Sequence, residues 1–186
     1  MATRYMANEA AATVGVIGTG GQARTQLAAV AEVRDISKVR VFSRREDRRE
    51  EFARQSSERL NLEVIAVDSA QACVDGADVV VAITSSREPV LECDWLSPGV
   101  HINAAGGNHW MRREIDDAAV ERSQLIVVDD LEQAMVECGD LMWAEARGTF
   151  RWDMAHELRE VAVSYTNLRA HATEADLVCR LRLEKK

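Results

Sequence analysis

No apolar run in this sequence approaches membrane-spanning length. Met1 to Ala12 lacks the apolar core of a secretory signal. Positive charge is in deficit: 23 Lys and Arg stand against 31 Asp and Glu, for a formal net charge of −8. A general nucleic-acid binder needs a basic face, so neither nucleic acid nor membrane is expected as a partner. Cysteine is sparse. Cys73, Cys93, Cys138 and Cys179 are scattered, with no C-x-x-C pair. This argues against zinc, no metal is expected, and the four read as free thiols of a cytoplasmic protein. There are no internal repeats and no low-complexity linkers. What is present is 186 residues at 47% hydrophobic, ample for a core, with a length that favours one domain.

One stretch organises the rest. Val14 to Ile17 is a short apolar run and reads as a buried strand. Gly18-Thr19-Gly20-Gly21-Gln22-Ala23 then fits G-x-G-x-x-[GA]. From Gln22 to Val33 the apolar residues Ala23, Leu27, Val30 and Ala31 fall at helical spacing. Strand, glycine turn and helix form the context in which this motif binds a dinucleotide. Gly18 permits the tight turn, Gly20 lets the backbone approach a pyrophosphate, and Ala23 keeps the helix close to the strand. The phosphates would sit on free N–H groups at the helix N-terminus. The competing reading is a glycine turn that only packs a helix on a sheet. A Walker site is excluded here, because no Lys-Ser/Thr follows the glycines.

In chain order, residues 1–12 read as the end of a helix running into the first strand. Strands are predicted at Lys38–Phe42, Leu62–Val67, Asp78–Thr84, Val100–Ala104 and Gln124–Val128. Val79-Val80-Val81-Ala82-Ile83 is continuously apolar, as a central parallel strand buried on both faces requires. Helices are predicted at Glu46–Leu60, Ser69–Val74, Glu114–Arg122 and Leu131–Cys138. Asp68 or Ser69 would cap the second of these, and Asp129 and Asp130 the last. Strands alternating with helices predict the α/β class, as a Rossmann-type doubly wound parallel sheet with right-handed crossovers, order 3-2-1-4-5-6. This dinucleotide-binding domain is placed at 13–150.

The end of the second strand bears on which dinucleotide. It reads Phe42-Ser43-Arg44-Arg45, with no carboxylate before Glu46. A fold that holds the ribose 2′-hydroxyl usually places Asp or Glu there. Arginine instead offers forked donors to a phosphate, and Ser43 adds a hydroxyl. NADP(H) is therefore favoured over NAD(H), the alternative being that Arg44 and Arg45 are solvated charges. The missing acid also argues against FAD and S-adenosylmethionine.

A longer series of residues carries a resemblance. It comprises Ala2-Thr3-Arg4-Tyr5, the glycine turn, Thr84-Ser85-Ser86, Pro89-Val90, Trp95-Leu96 and Pro98 to Ala104. It continues through Gly106-Gly107, Arg113-Glu114-Ile115-Asp116, Gly139-Asp140-Leu141 and Glu157-Leu158 to Val161. From about Ala2 to Ala162 the chain resembles the nucleotide-binding domain of the ornithine cyclodeaminase/μ-crystallin family. The resemblance implies a two-domain enzyme of amino or cyclic imino acids, in which hydride moves between the substrate α-carbon and the nicotinamide. It implies a companion domain, built from flanking segments, that supplies dimer contacts and most substrate-binding groups. The chain is thus expected to be a fragment lacking that domain, not expected as such to catalyse alone, from a parent that is a homodimeric enzyme.

By the same resemblance Thr84, Ser85 and Ser86 lie at the mouth of the fourth strand, near the nicotinamide ribose. Asn103 to Gly107, with Asn103, Ala105 and Gly106 foremost, lie beside the nicotinamide. One departure matters. Cyclodeaminases carry an acid/base Asp where this chain has Asn108, and an amide cannot shuttle a proton. His109 is the candidate substitute, against the reading of a loop histidine without a proton role. An NADP(H)-dependent oxidoreductase of amino or cyclic imino acids is therefore favoured. The alternatives are an ammonia lyase with internally recycled NAD and a non-catalytic NADP(H)-dependent binder of small ligands. Trp143, Phe150 and Trp152 are assigned to packing.

Residues 151–162 are expected to begin a helix returning to the companion domain. Val163 to Lys186 breaks the family pattern and reads as translated sequencing adapter, a non-native tail. The competing reading is an amphipathic helix bearing Leu177, Cys179 and Leu181. No function is assigned to His171 or Cys179.

Overall fold

The computed structural model of the chain describes residues Ala2 to Val163. The tail expectation, apart from Val163, lies outside the described residues. Strand β1 (Thr13–Ile17) pairs in parallel with β4 (Val79–Ala82), from Val14 opposite Val79 to Ile17 opposite Ala82. On its other edge β1 pairs with β2 (Lys38–Phe42), and β2 with β3 (Glu63–Ala66). Beyond β4 lies β5 (His101–Ala104). All these pairings are parallel and the order is β3-β2-β1-β4-β5. The direction of growth reverses between β1 and β4. The connections leaving their carboxyl ends therefore diverge and open a crevice there.

Period-two alternation divides the core into two layers. Val14, Val16, Val39, Val41, Val79 and Val81 face one side. There they pack against α2 (Gly21–Val33) through Ala23, Leu27 and Val30, and against α3 (Glu46–Leu60) through Phe52. Ile17, Val80 and Ile102 face the other side. They meet α4 (Ala70–Val74), α5 (Asp117–Glu121) and α7 (Gly139–Ala146). All four residues of β4 are buried, as its valine run requires. A short N-terminal helix, α1 (Ala2–Met6), packs on α2 and β5. Phe150 is buried with Trp152 edge-on against it, so both serve packing. Trp143 is half-exposed beneath the guanidinium groups of Arg113 and Arg147.

Capping follows the sequence closely. Ser69, not Asp68, accepts from the Ala72 N–H at 3.0 Å. Asp130 caps α6 (Leu131–Glu137) by accepting from the Gln133 N–H at 2.9 Å. Cys73, Cys93 and Cys138 are free thiols, and burial pushes Cys73 up to about 12 and Cys138 up to about 11. Among the described residues no helix is long and apolar enough to cross a membrane.

The sixth strand departs from the expected order. β6 (Ile126–Val128) does not join β5. It pairs in parallel with β7 (Ala155–Glu157) in a separate two-stranded sheet, from Ile126 opposite Ala155 to Val128 opposite Glu157. Beyond β5 the chain turns back onto the β4–β5 connection, where the Val90 and Leu91 N–H groups both donate to the Glu114 carbonyl. α5 and β6 then start from that layer, and β7 supplies the ladder that β6 needs. Residues 151–162, expected to be helical, hold a 3₁₀ turn at Trp152–Met154, β7, and only then a helix at 158–163. The carboxylate of Glu157 also accepts from the Leu131 N–H at 3.1 Å, fastening β7 to α6.

Asp78 ties the start of β1 to β4. Its Oδ2 accepts from the Ala12 N–H at 3.0 Å, the Thr13 N–H at 2.9 Å and the Thr13 hydroxyl at 2.7 Å. Burial by itself pushes this carboxyl up, but the donors outweigh it and hold the carboxyl below its ordinary value. A folded value below the unfolded one gives stability that is present at neutral pH and lost as pH falls through the folded value. Asp78→Asn is expected to cost about 1 kcal/mol at pH 7, the low end for hydrogen bonds to a partly solvated charge. The cost shrinks at pH 3. Urea titrations at both values check this; equal losses would contradict it.

Candidate functional site

The glycine turn sits at the head of the crevice. Gly18 has φ +116°, and its N–H donates to the Phe42 carbonyl at 2.9 Å. A Cβ on Gly18 would lie 2.2 Å from the Ile83 carbonyl oxygen, so the turn is wedged between the ends of β2 and β4. Gly20 is extended and opens α2 without any side-chain cap, and the first turn of α2 has no acidic residue. The N–H groups there thus have no side-chain cap and no acid of their own turn beside them. A Cβ on Gly20 or Gly21 would meet no protein atom within 4 Å. An uncapped helix end beside open space is what a phosphate-bearing ligand fits.

At the end of β2 the Ser43 hydroxyl donates to the Arg45 carbonyl at 3.1 Å. Arg45 forks onto Asp47 as an exposed pair, which is weak and readily exchanged. Arg44 is exposed and makes no hydrogen bond or ion pair among the described residues. Arg49, which sequence reasoning missed, is largely buried. It reaches the Ser43 carbonyl at 3.4 Å and Asp68 at 2.6 Å, and so braces the loop.

The mouths of β4 and β5 are organised by two acids to which the sequence reading gave no role. Glu114 is fully buried and Asp140 nearly so, at 0% and 3% exposure. The Glu114 carboxylate accepts from the Thr84 N–H with one oxygen and from the Gly106 N–H with the other. It thereby joins the mouths of β4 and β5. Asp140 accepts from the N–H groups of Glu114 at 2.7 Å and Ile115 at 3.1 Å. Burial pushes both carboxyls up, against the opposing pull of those donors. The Gly106-Gly107 pair closes on these acids: a Cβ on Gly106 would lie 2.6 Å from the Glu114 carboxylate, and one on Gly107 would lie 2.3 Å from Asp140 Oδ2.

The expected contact residues part company here. Thr84 Oγ1 accepts from the Ser86 N–H at 3.1 Å, and the Ser86 hydroxyl donates to the Glu88 carbonyl at 2.7 Å, so Ser86 is spent on the turn. The Asn103 side chain turns to α1 instead: its Nδ2 donates to Thr3 Oγ1 at 3.0 Å, and its Oδ1 lies 3.1 Å from His101 Nε2. Ala105 lies past the end of β5, its N–H donating to the Ala82 carbonyl at 2.8 Å. Asn108 is exposed and its Oδ1 accepts from Arg112 at 2.9 Å. His109 Nδ1 accepts from the Met111 N–H at 3.2 Å, which leaves Nε2 to carry the ring proton. Ser85, Arg87, His109, Met111 and Arg112 line one open depression.

The profile of the ornithine cyclodeaminase/mu-crystallin family matches residues 1–175. The chain belongs to this family. The match runs past Ala162. Within the family, the Delta(1)-pyrroline-2-carboxylate reductase of Bacillus cereus is 33% identical over 156 residues, 84% of this chain and 48% of that protein. The rat ketimine reductase mu-crystallin is 32% identical over 161 residues, 87% of this chain and 48% of that protein. A solved family structure, Thermococcus litoralis Delta(1)-pyrroline-2-carboxylate reductase in complex with NADH and L-proline, superposes with a TM-score of 0.84 at 37% identity, covering 88% of this chain and 51% of that one. The iminosuccinate reductase of Paracoccus denitrificans in complex with NAD+ gives 0.81 at 29% identity, covering 88% and 50%. The chain spans about half the length of these relatives.

Proposed function

We propose that the chain is the nicotinamide-dinucleotide-binding part of an oxidoreductase of amino or cyclic imino acids. One observation carries the reading: the turn from Gly18 to Ala23 opens an uncapped α2 onto empty space at the reversal point of the sheet. The N–H groups of Thr19 to Gln22 would hold the pyrophosphate. Ser43, Arg44 and Arg45 would meet a 2′-phosphate, with Arg45 exchanging Asp47 for it. Thr84, Ser85 and the backbone at Asn103, Ala105 and Gly106 would border the nicotinamide, which when bound would supply hydride transfer. The NADH and NAD+ complexes of the two reductases support a nicotinamide cofactor. Asn108, lacking a proton to exchange, favours a reductase over a cyclodeaminase. The same residue supports a second reading, binding without turnover. A small-molecule substrate, a cytoplasmic setting and a homodimer complete the proposal. The dimer reading is supported by an archaeal alanine dehydrogenase dimer with bound NAD, TM-score 0.79 at 27% identity.

Titration of the chain with NADPH and NADH, followed by fluorescence, tests the cofactor reading. NADPH is expected to bind at least tenfold tighter, about 1.4 kcal/mol. Arg44→Ala is expected to remove that advantage and leave NADH unchanged. Equal or tighter NADH binding would overturn the phosphate clamp; binding of neither would overturn the dinucleotide reading.

A further inference from the structure

The charged side chains lining the depression beside Asn108 are cations. Arg87 is exposed and makes no hydrogen bond or ion pair among the described residues. Arg112 spends one guanidinium nitrogen on Asn108 Oδ1, and no acid pairs with it among the described residues. His109 accepts through Nδ1 from the Met111 N–H, so Nε2–H is the polar atom its ring has left to offer. The Ser85 side chain, a hydroxyl, is exposed, and Met111 supplies an apolar wall. The neighbouring amide oxygen, Asn108 Oδ1, is already taken by Arg112. A ligand group that only accepts, is planar and is negatively charged satisfies such a set, and a forked guanidinium matches a carboxylate best. An ammonium group would find no carboxylate among the lining side chains and would meet two cations.

We infer that the depression formed by Ser85, Arg87, His109 and Arg112 is a carboxylate subsite, selecting acidic amino or imino acids over basic ones. The inference rests on the proposed function for its place beside the nicotinamide. Its chemistry rests on the side chains alone. An aspartate at position 108 would neutralise Arg112; the amide present leaves that charge available to a ligand. Arg87 and Arg112 are thereby specificity-determining residues, and Asn108 positions the Arg112 fork.

Calorimetric titration of the full 186-residue chain with succinate, with and without saturating NADH, tests this. L-ornithine and butyrate serve as comparison ligands. Succinate is expected to bind saturably and at least tenfold tighter than either. Arg87→Ala and Arg112→Ala are each expected to weaken it about tenfold, and Arg112→Lys to restore only part of the loss. NADH affinity should stay within twofold in all three. Absence of saturable succinate binding, or binding undiminished from the unsubstituted chain in both alanine variants, would overturn the subsite. Should NADH itself fail to bind, the dinucleotide reading falls, and the NADH-free titration still decides the subsite.

Discussion

Glu114→Ala is expected to destabilise the chain by about 3 kcal/mol or more, read as a fall in the urea midpoint followed by tryptophan fluorescence. The carboxylate is fully buried and satisfies two N–H groups at once, those of Thr84 and Gly106. Truncation leaves both without a partner, at about 1–3 kcal/mol each, and opens a cavity besides. Against a total stability of about 5–15 kcal/mol this is a large fraction. The same change frees the mouths of β4 and β5 from one another, so dinucleotide affinity falls with it. A loss below about 1 kcal/mol would mean that water replaces the carboxylate without penalty, and Glu114 would not be the tie between β4 and β5.

Glu114 also sets a pH dependence of a particular sign. Burial raises its folded value above the unfolded one, so between the two values the folded state binds more protons. Stability then falls as pH rises from the ordinary carboxylate range through the raised value. Asp140 acts in the same direction. Glu114→Gln, which cannot ionise, should flatten this slope while costing less at neutral pH than the alanine variant. Urea midpoints measured from pH 4 to 8 on both proteins decide the matter.

Gly18→Ala is expected to cost about 2–6 kcal/mol. At φ +116° a side chain is strained by about 1–3 kcal/mol before any contact is counted. Its Cβ would then sit 2.2 Å from the Ile83 carbonyl oxygen. Neither side can yield cheaply. The Ile83 N–H is bonded to the Ile17 carbonyl at 2.9 Å, and the Gly18 N–H to Phe42 at 2.9 Å. Overpacking against fixed backbone adds about 1–3 kcal/mol. Gly20→Ala makes the informative contrast. Its backbone is ordinary and its Cβ meets no protein atom within 4 Å, so stability should change by less than about 0.5 kcal/mol. Dinucleotide affinity should nonetheless fall at least tenfold, because the added methyl occupies the proposed pyrophosphate site. Unchanged affinity in Gly20→Ala would show that the phosphates lie elsewhere.

Local signals carried most of the sheet. Lys38–Phe42 and Glu46–Leu60 coincide with their predicted bounds, because alternation in the strand and a single apolar face in the helix are properties of neighbouring residues. The partner of a strand is not such a property. Ile126–Val128 is apolar wherever it pairs, so its place beside Ala155–Glu157 was not legible. Nor does Ala-His-Glu announce a strand, since it contains no β-branched or aromatic residue and owes its form to the ladder it completes. At the site, Gly18 to Ala23 was readable because the chemistry lies in the backbone that the glycines expose. The Asn103 side chain lies on the His101 side, bonded to Thr3 of α1, a partner distant in sequence that the strand pattern does not announce. Glu114 and Asp140 were invisible as buried groups, because a carboxylate is tolerated inside only where folded loops present N–H groups to it.

The order of strands also sets an order in time. During synthesis β1 finds β2 soon after it is made, but its other edge stays open until Val79–Ala82 has left the ribosome. Until then the nascent chain carries an unpaired, apolar strand border, the kind of surface that recruits chaperones or a neighbouring nascent chain. β4 is the keystone: its arrival closes that border and gives β5 an edge on which to assemble.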